Sequence, residues 1–181
     1  LTERADGEVR YYQPPEYPAT VPSVYPGEGY VPFAYGSFYM DAMDAHGGWI
    51  ASASDLLRYA TAIDGQRGNA LLQPETVDQM LNTPRPPSEG YNGAGNQDPA
   101  TGLGWVVQPG PTGTEWAHTG ALGGSTAALL LRTGDGLWIS FLANTLPADF
   151  IGFFGALRPA LTTATSEITA WPDTDLFDSA S

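Results

Sequence analysis

The chain has 181 residues, 42% of them hydrophobic and 12% aromatic, enough to bury one substantial core. Its formal charge is -13, and its seven cationic residues are all arginine, with no lysine anywhere. Such a charge opposes nucleic acid and anionic membranes, which both need a basic footprint, so neither is an expected partner. The absence of cysteine excludes a disulfide framework, a thiol nucleophile and a thiolate metal site.

No stretch reaches the roughly 20 apolar residues of a membrane span, and Leu1-Thr2-Glu3-Arg4 resembles no signal peptide. The first residue is not Met, which suggests a processed chain or a piece of a longer one. No compartment can be assigned.

Residues 1–46 are rich in proline and aromatics, as in Tyr11-Tyr12-Gln13-Pro14-Pro15. Proline fixes φ and removes a donor, so an irregular, aromatic-pinned loop is expected there, one that covers another element. Residues 47–101 read as helical. Ser52 followed by Asp55 has capping-box spacing; Leu56, Leu57, Ala60 and Ile63 recur on one face, and Gly65 supplies a stop. Pro74 and Glu75 open a second short helix that ends before Pro84, and 85–101 is a polar connection.

Strands are expected over 104–108, 115–119, 126–132 and 137–143 within residues 102–146, with Asp135-Gly136 closing the last hairpin. Strands three and four are nearly continuous in apolar residues, which requires cover on both faces. One cover is a helix within 147–170, which Pro159 should kink or split. The tail after Thr169 should fray. The fold class is therefore α+β, an antiparallel sheet covered by helices.

Chemistry has few candidates. His46, near Asp41 and Asp44, offers too few ligands for a metal site and is better read as structural. His118 lies near the end of a predicted strand and precedes Thr119, Gly120, Ala121, Leu122, Gly123 and Gly124, whose glycines would let a substrate approach the strand edge. The tripeptide alone fits equally well a hydrogen-bonded histidine at a hairpin edge. A phosphate loop needs a lysine, and Gly90-Tyr91-Asn92-Gly93-Ala94-Gly95 lacks the strand and helix of a dinucleotide site, so no cofactor is expected. No Gly-x-Ser-x-Gly or His-Glu-x-x-His occurs, and the acidic residues read as a solvated surface.

Three stretches together resemble the serine β-lactamase-related hydrolases, which include class C β-lactamases, penicillin-binding carboxypeptidases, D-aminopeptidases and related esterases. They are Gly47-Gly48-Trp49-Ile50-Ala51-Ser52-Ala53-Ser54-Asp55-Leu56-Leu57-Arg58-Tyr59, then Thr101-Gly102-Leu103-Gly104-Trp105, then Trp116-Ala117-His118-Thr119-Gly120-Ala121-Leu122-Gly123-Gly124-Ser125 followed by a Leu-rich hairpin and Asn144. The resemblance covers about residues 45–160 and implies the C-terminal part of that domain, incomplete at its N-terminus. It places His118-Thr119-Gly120 where the family carries Lys-Thr-Gly. His118 would then polarise or orient substrate, Thr119 and Gly120 would shape the strand edge, and the Ala121 N–H would donate to an oxyanion.

The family's nucleophile comes from Ser-x-x-Lys, which a chain without lysine cannot contain, and Tyr91-Asn92 does not match its Tyr-x-Asn motif. The resemblance thus implies half of an active site for a small-molecule ester, amide or peptide, inactive alone. The alternatives are a ligand- or protein-binding module on the same scaffold, or a truncated product.

Overall fold

The computed structural model describes residues 4–67, 70–82, 100–174 and 177. The segment 83–99, which carries Tyr91 and Asn92, lies outside the described residues, as do Leu1 and the end of the tail.

The centre is a five-stranded antiparallel sheet whose spatial order follows the sequence: β3 (Ala100–Thr101), β4 (Val106–Gly110), β5 (Gly113–Leu122), β6 (Thr126–Arg132) and β7 (Trp138–Ala143). β6 has the bounds that its apolar run implies, and Gly136, at φ 95, turns the chain into β7. β5 runs on to Leu122, past the expected 115–119, because Gly120 and Leu122 pair with Ala128 and Thr126.

Both faces of the sheet are covered, as the continuous apolar strands require. Side chains alternate across a strand, so β6 sends Leu130 to one face and Leu129 and Leu131 to the other. Leu130 joins Ala60, Trp105 and Trp138 under α2 (Ala53–Asp64) and α3 (Pro74–Asn82). Leu129 and Leu131 join Ala117 and Ile139 under Phe154, Leu157 and Leu161 of α4 (Phe150–Ser166).

The starting signals of α2 work as read. Ser52 Oγ accepts the Asp55 N–H while the Asp55 carboxylate accepts the Ser52 N–H, a complete capping box, and Gly65 ends the helix at φ 72. These bonds and Arg58 hold the Asp55 carboxyl below the usual carboxylate range, the Ser52 backbone N–H contributing most.

Two expectations need correction. α4 passes through Pro159 without a break. Pro159 removes the N–H that would bond the Gly155 carbonyl, but both residues lie on the exposed side, where water can satisfy that oxygen.

The N-terminal region is also less irregular than its prolines suggest. β1 (Thr20–Pro22) pairs with β2 (Tyr30–Pro32), and a short α1 (Phe33–Gly36) follows. Proline is compatible with a two-stranded ribbon because both strands are edges. The loop's aromatic pins act on the chain itself: Tyr17 and Phe33, with ring centroids 4.9 Å apart, pack over the β5–β6 turn.

Candidate functional site

Val106 pairs with Ala117, and there the β4–β5 ladder stops. Residues 118–122 of β5 are held by β6 on one edge, and no strand among the described residues pairs with the other. The Gly-Leu-Gly-Trp stretch causes this opening. Expected to enter a strand at Gly104, it is instead the turn from β3 to β4: Gly102 N–H donates to the Trp105 carbonyl, Gly104 sits at φ 81, and Leu103 N–H reaches the Met80 carbonyl of α3 at 2.6 Å.

A Cβ on Gly102 would stand 2.2 Å from the Met80 oxygen, a backbone atom that cannot swing aside. Gly102→Ala is therefore expected to destabilise the fold by about 1–3 kcal/mol through overpacking. Gly104→Ala, with open space around it, should cost only about 1 kcal/mol for its left-handed backbone. Urea midpoints in the reverse order would show that the turn is not braced on α3.

The sequence-predicted residues share this strand but not one face. His118 and Gly120 pair with Leu130 and Ala128 and lie on the α2 side. Thr119 and Ala121 pair with Leu129 and Ala127 and lie on the α4 side. His118 is exposed, and its ring hydrogen-bonds to no described residue. Only the His118 side chain and the backbone of 119–121 can therefore work together along the edge.

The glycines beyond the tripeptide serve differently from the expectation. A Cβ on Gly123 or Gly124 would meet Tyr17 at 3.0 Å, so these positions admit the chain's own aromatic rings rather than a substrate. Ser125 follows, buried, with its N–H donating to the Leu122 carbonyl and its Oγ without a partner among the described residues.

Two concavities flank the far end of β5. One of about 320 Å³ is bounded by Leu122, Ser125 and the N-terminal aromatics. The other, about 720 Å³, lies between the start of α2 and the ends of β6 and β7, with Trp49, Ile50, Ala128 and Leu142 on its walls. Neither is bordered by His118, Thr119, Gly120 or Ala121. Gly120 and Ala128, small residues directly paired, leave the α2 side of the sheet low at this point.

A model of the beta-lactamase family matches residues 3–162. The chain belongs to the beta-lactamase family. No curated protein and no solved structure matched it. Within the family fold, the open β5 edge and the stretch carrying His118 coincide, and the mixed antiparallel architecture agrees with that of the family.

Other polar residues make contacts that their places in the sequence do not announce. Asn144 was noted for its place after the hairpin; in the structure its carbonyl accepts the Tyr12 N–H at 2.8 Å and its amide donates to the Arg10 carbonyl at 2.7 Å, tying the N-terminal segment to the end of β7. Glu8 and Tyr11, unremarked in the sequence, are joined by a 2.7 Å bond from the phenol to the carboxylate. Burial and then that carboxylate push the Tyr11 phenol up to about 12. His46 is exposed, with its Nδ1 2.9 Å from the Met43 carbonyl, and no group of metal-ligating side chains occurs among the described residues. No described helix is long and apolar enough to cross a membrane.

Proposed function

We propose that this chain supplies the C-terminal part of a beta-lactamase-related serine hydrolase acting on a small ester, amide or peptide. The observation that supports the reading is the edge of β5 over 118–122, which no described strand pairs and which offers backbone donors and the His118 ring to a substrate lying along it. His118 orients or polarises the reacting carbonyl, and the Ala121 N–H meets the charge that develops on its oxygen. Thr119 and Gly120 contribute backbone, and the absent Cβ of Gly120 lets the substrate lie close.

The nucleophile has to come from elsewhere. Serine needs an adjacent base to attack, the resemblance assigns that pair to Ser-x-x-Lys, and these residues contain no lysine. The chain alone is therefore expected to be inactive, whereas mixing it with a separately produced family segment carrying Ser-x-x-Lys and Tyr-x-Asn restores hydrolysis of p-nitrophenyl acetate. In that mixture His118→Ala should lower kcat/KM by roughly 10²-fold. No gain on mixing, with both pieces folded, would favour a non-catalytic binding module on the same scaffold.

A further inference from the structure

The 320 Å³ concavity has a composition that the hydrolase reading does not use. Its walls include four aromatic rings, those of Tyr11, Tyr35, Phe38 and Trp49, together with Met40 and the Glu8 carboxylate. Among the described residues, no arginine or histidine is in its lining. The adjoining concavity adds Asp6 and Asp55.

Two of the rings pack directly on each other. Tyr11 and Tyr35 meet edge to face, with centroids 5.9 Å apart at 61°, and the Tyr11 N–H donates to the Tyr35 oxygen at 3.0 Å, which fixes both walls. The face of an aromatic ring is negative, and a desolvated cation gains more from it than a neutral group does. The Glu8 carboxylate, whose two oxygens accept from Tyr11 Oη and from the Ala5 N–H, is fixed at the rim as a counter-charge. Trp49, 77% exposed, supplies the fourth ring of the lining.

We infer that this concavity is a binding site for a small organic cation, an alkylammonium group, held by the rings of Tyr11, Tyr35, Phe38 and Trp49 and balanced by Glu8. The chain's net charge of -13 raises the local concentration of cations at low salt.

The test uses the purified chain with choline chloride and its uncharged isostere 3,3-dimethyl-1-butanol, followed by ligand-observed NMR and calorimetry. Choline is expected to bind with a dissociation constant of roughly 1 mM, and the isostere at least about tenfold more weakly. Trp49→Ala, which touches no core, and Glu8→Gln should each weaken choline roughly fivefold with unchanged far-UV dichroism. Phosphatidylcholine vesicles identify the source: cosedimentation competed by choline indicates a lipid headgroup, and none with choline still bound indicates a free ion. Equal binding of choline and the isostere, no binding of choline, or choline binding indifferent to both substitutions would overturn the inference. Turnover plays no part in this measurement, so a failed reconstitution of hydrolysis leaves the site standing, and a failed titration leaves the hydrolase reading standing.

Discussion

Asp64→Ala is expected to remove about 3–5 kcal/mol of stability, a large share of the roughly 5–15 kcal/mol that holds a domain folded. Asp64 is the last residue of α2, where an acidic side chain opposes the helix dipole. It stands there because three donors converge on it. Arg132 Nε reaches Oδ2 at 3.0 Å, Trp138 Nε1 reaches the same oxygen at 2.7 Å, and the Gln66 N–H reaches Oδ1 at 3.0 Å. The Asp64 side chain is only 4% exposed and that of Arg132 19%, so alanine strands a largely buried guanidinium and a buried indole N–H.

Arg132 also lies 4.5 Å from the centroid of the Trp116 ring, and Trp116 and Trp105 flank Trp138 at 6.0 and 5.5 Å. The pair therefore anchors the tryptophan cluster that joins α2 to the sheet. Urea denaturation should place Asp64→Asn, which keeps one acceptor, between wild type and Asp64→Ala. The double variant Asp64→Ala/Arg132→Met should recover part of the loss, because an apolar replacement leaves no buried charge. A loss below about 1 kcal/mol for Asp64→Ala would show that the pair is not a structural link.

What the sequence disclosed and what it withheld divide by range. The capping box at Ser52 and Asp55, the helix stop at Gly65, the bounds of β6 and the hairpin at Gly136 rest on residues within about a dozen positions of one another. Local propensity and periodicity decide such features before tertiary packing acts. The Asp64–Arg132 pair spans 68 positions and the buried Glu115–Arg158 pair spans 43, and nothing in either residue's neighbourhood names its partner.

Pro159 misled in the opposite direction. Its local penalty is real, but Pro159 and Gly155 lie on the exposed side of α4, where water can take the freed carbonyl, and exposure is a tertiary property.

The candidate site was legible as a motif and illegible as a shape. His118-Thr119-Gly120-Ala121 stood out through its glycine and its strand-end position. The alternation that separates His118 from Thr119, and the turn at Gly102 that frees the edge, required the register. The aromatic walls around Glu8 come from three separate stretches, 8–11, 35–38 and 49, and proline density had concealed any order among them.

In a reconstituted hydrolase, Ala121→Pro is expected to lower kcat by about 10²–10³-fold, the cost of losing one oxyanion donor, while leaving the unfolding midpoint close to that of wild type. The two readouts together test where the Ala121 N–H points. Successive N–H groups along a strand point to opposite edges, so an N–H serving the open edge is absent from the β5–β6 ladder, and its loss removes no sheet hydrogen bond. Proline also favours extended geometry in the residue before it, here Gly120, which is already in a strand. Ala121→Ser keeps the N–H and should keep turnover, separating the donor from the methyl group. If Ala121→Pro lowers stability as sharply as activity, the N–H belongs to the ladder with Ala127, and Ala121 is not the donor. If the fold and turnover both persist within about threefold, the oxyanion is stabilised elsewhere, and the open edge of β5 serves to position substrate through His118 and Gly120 alone.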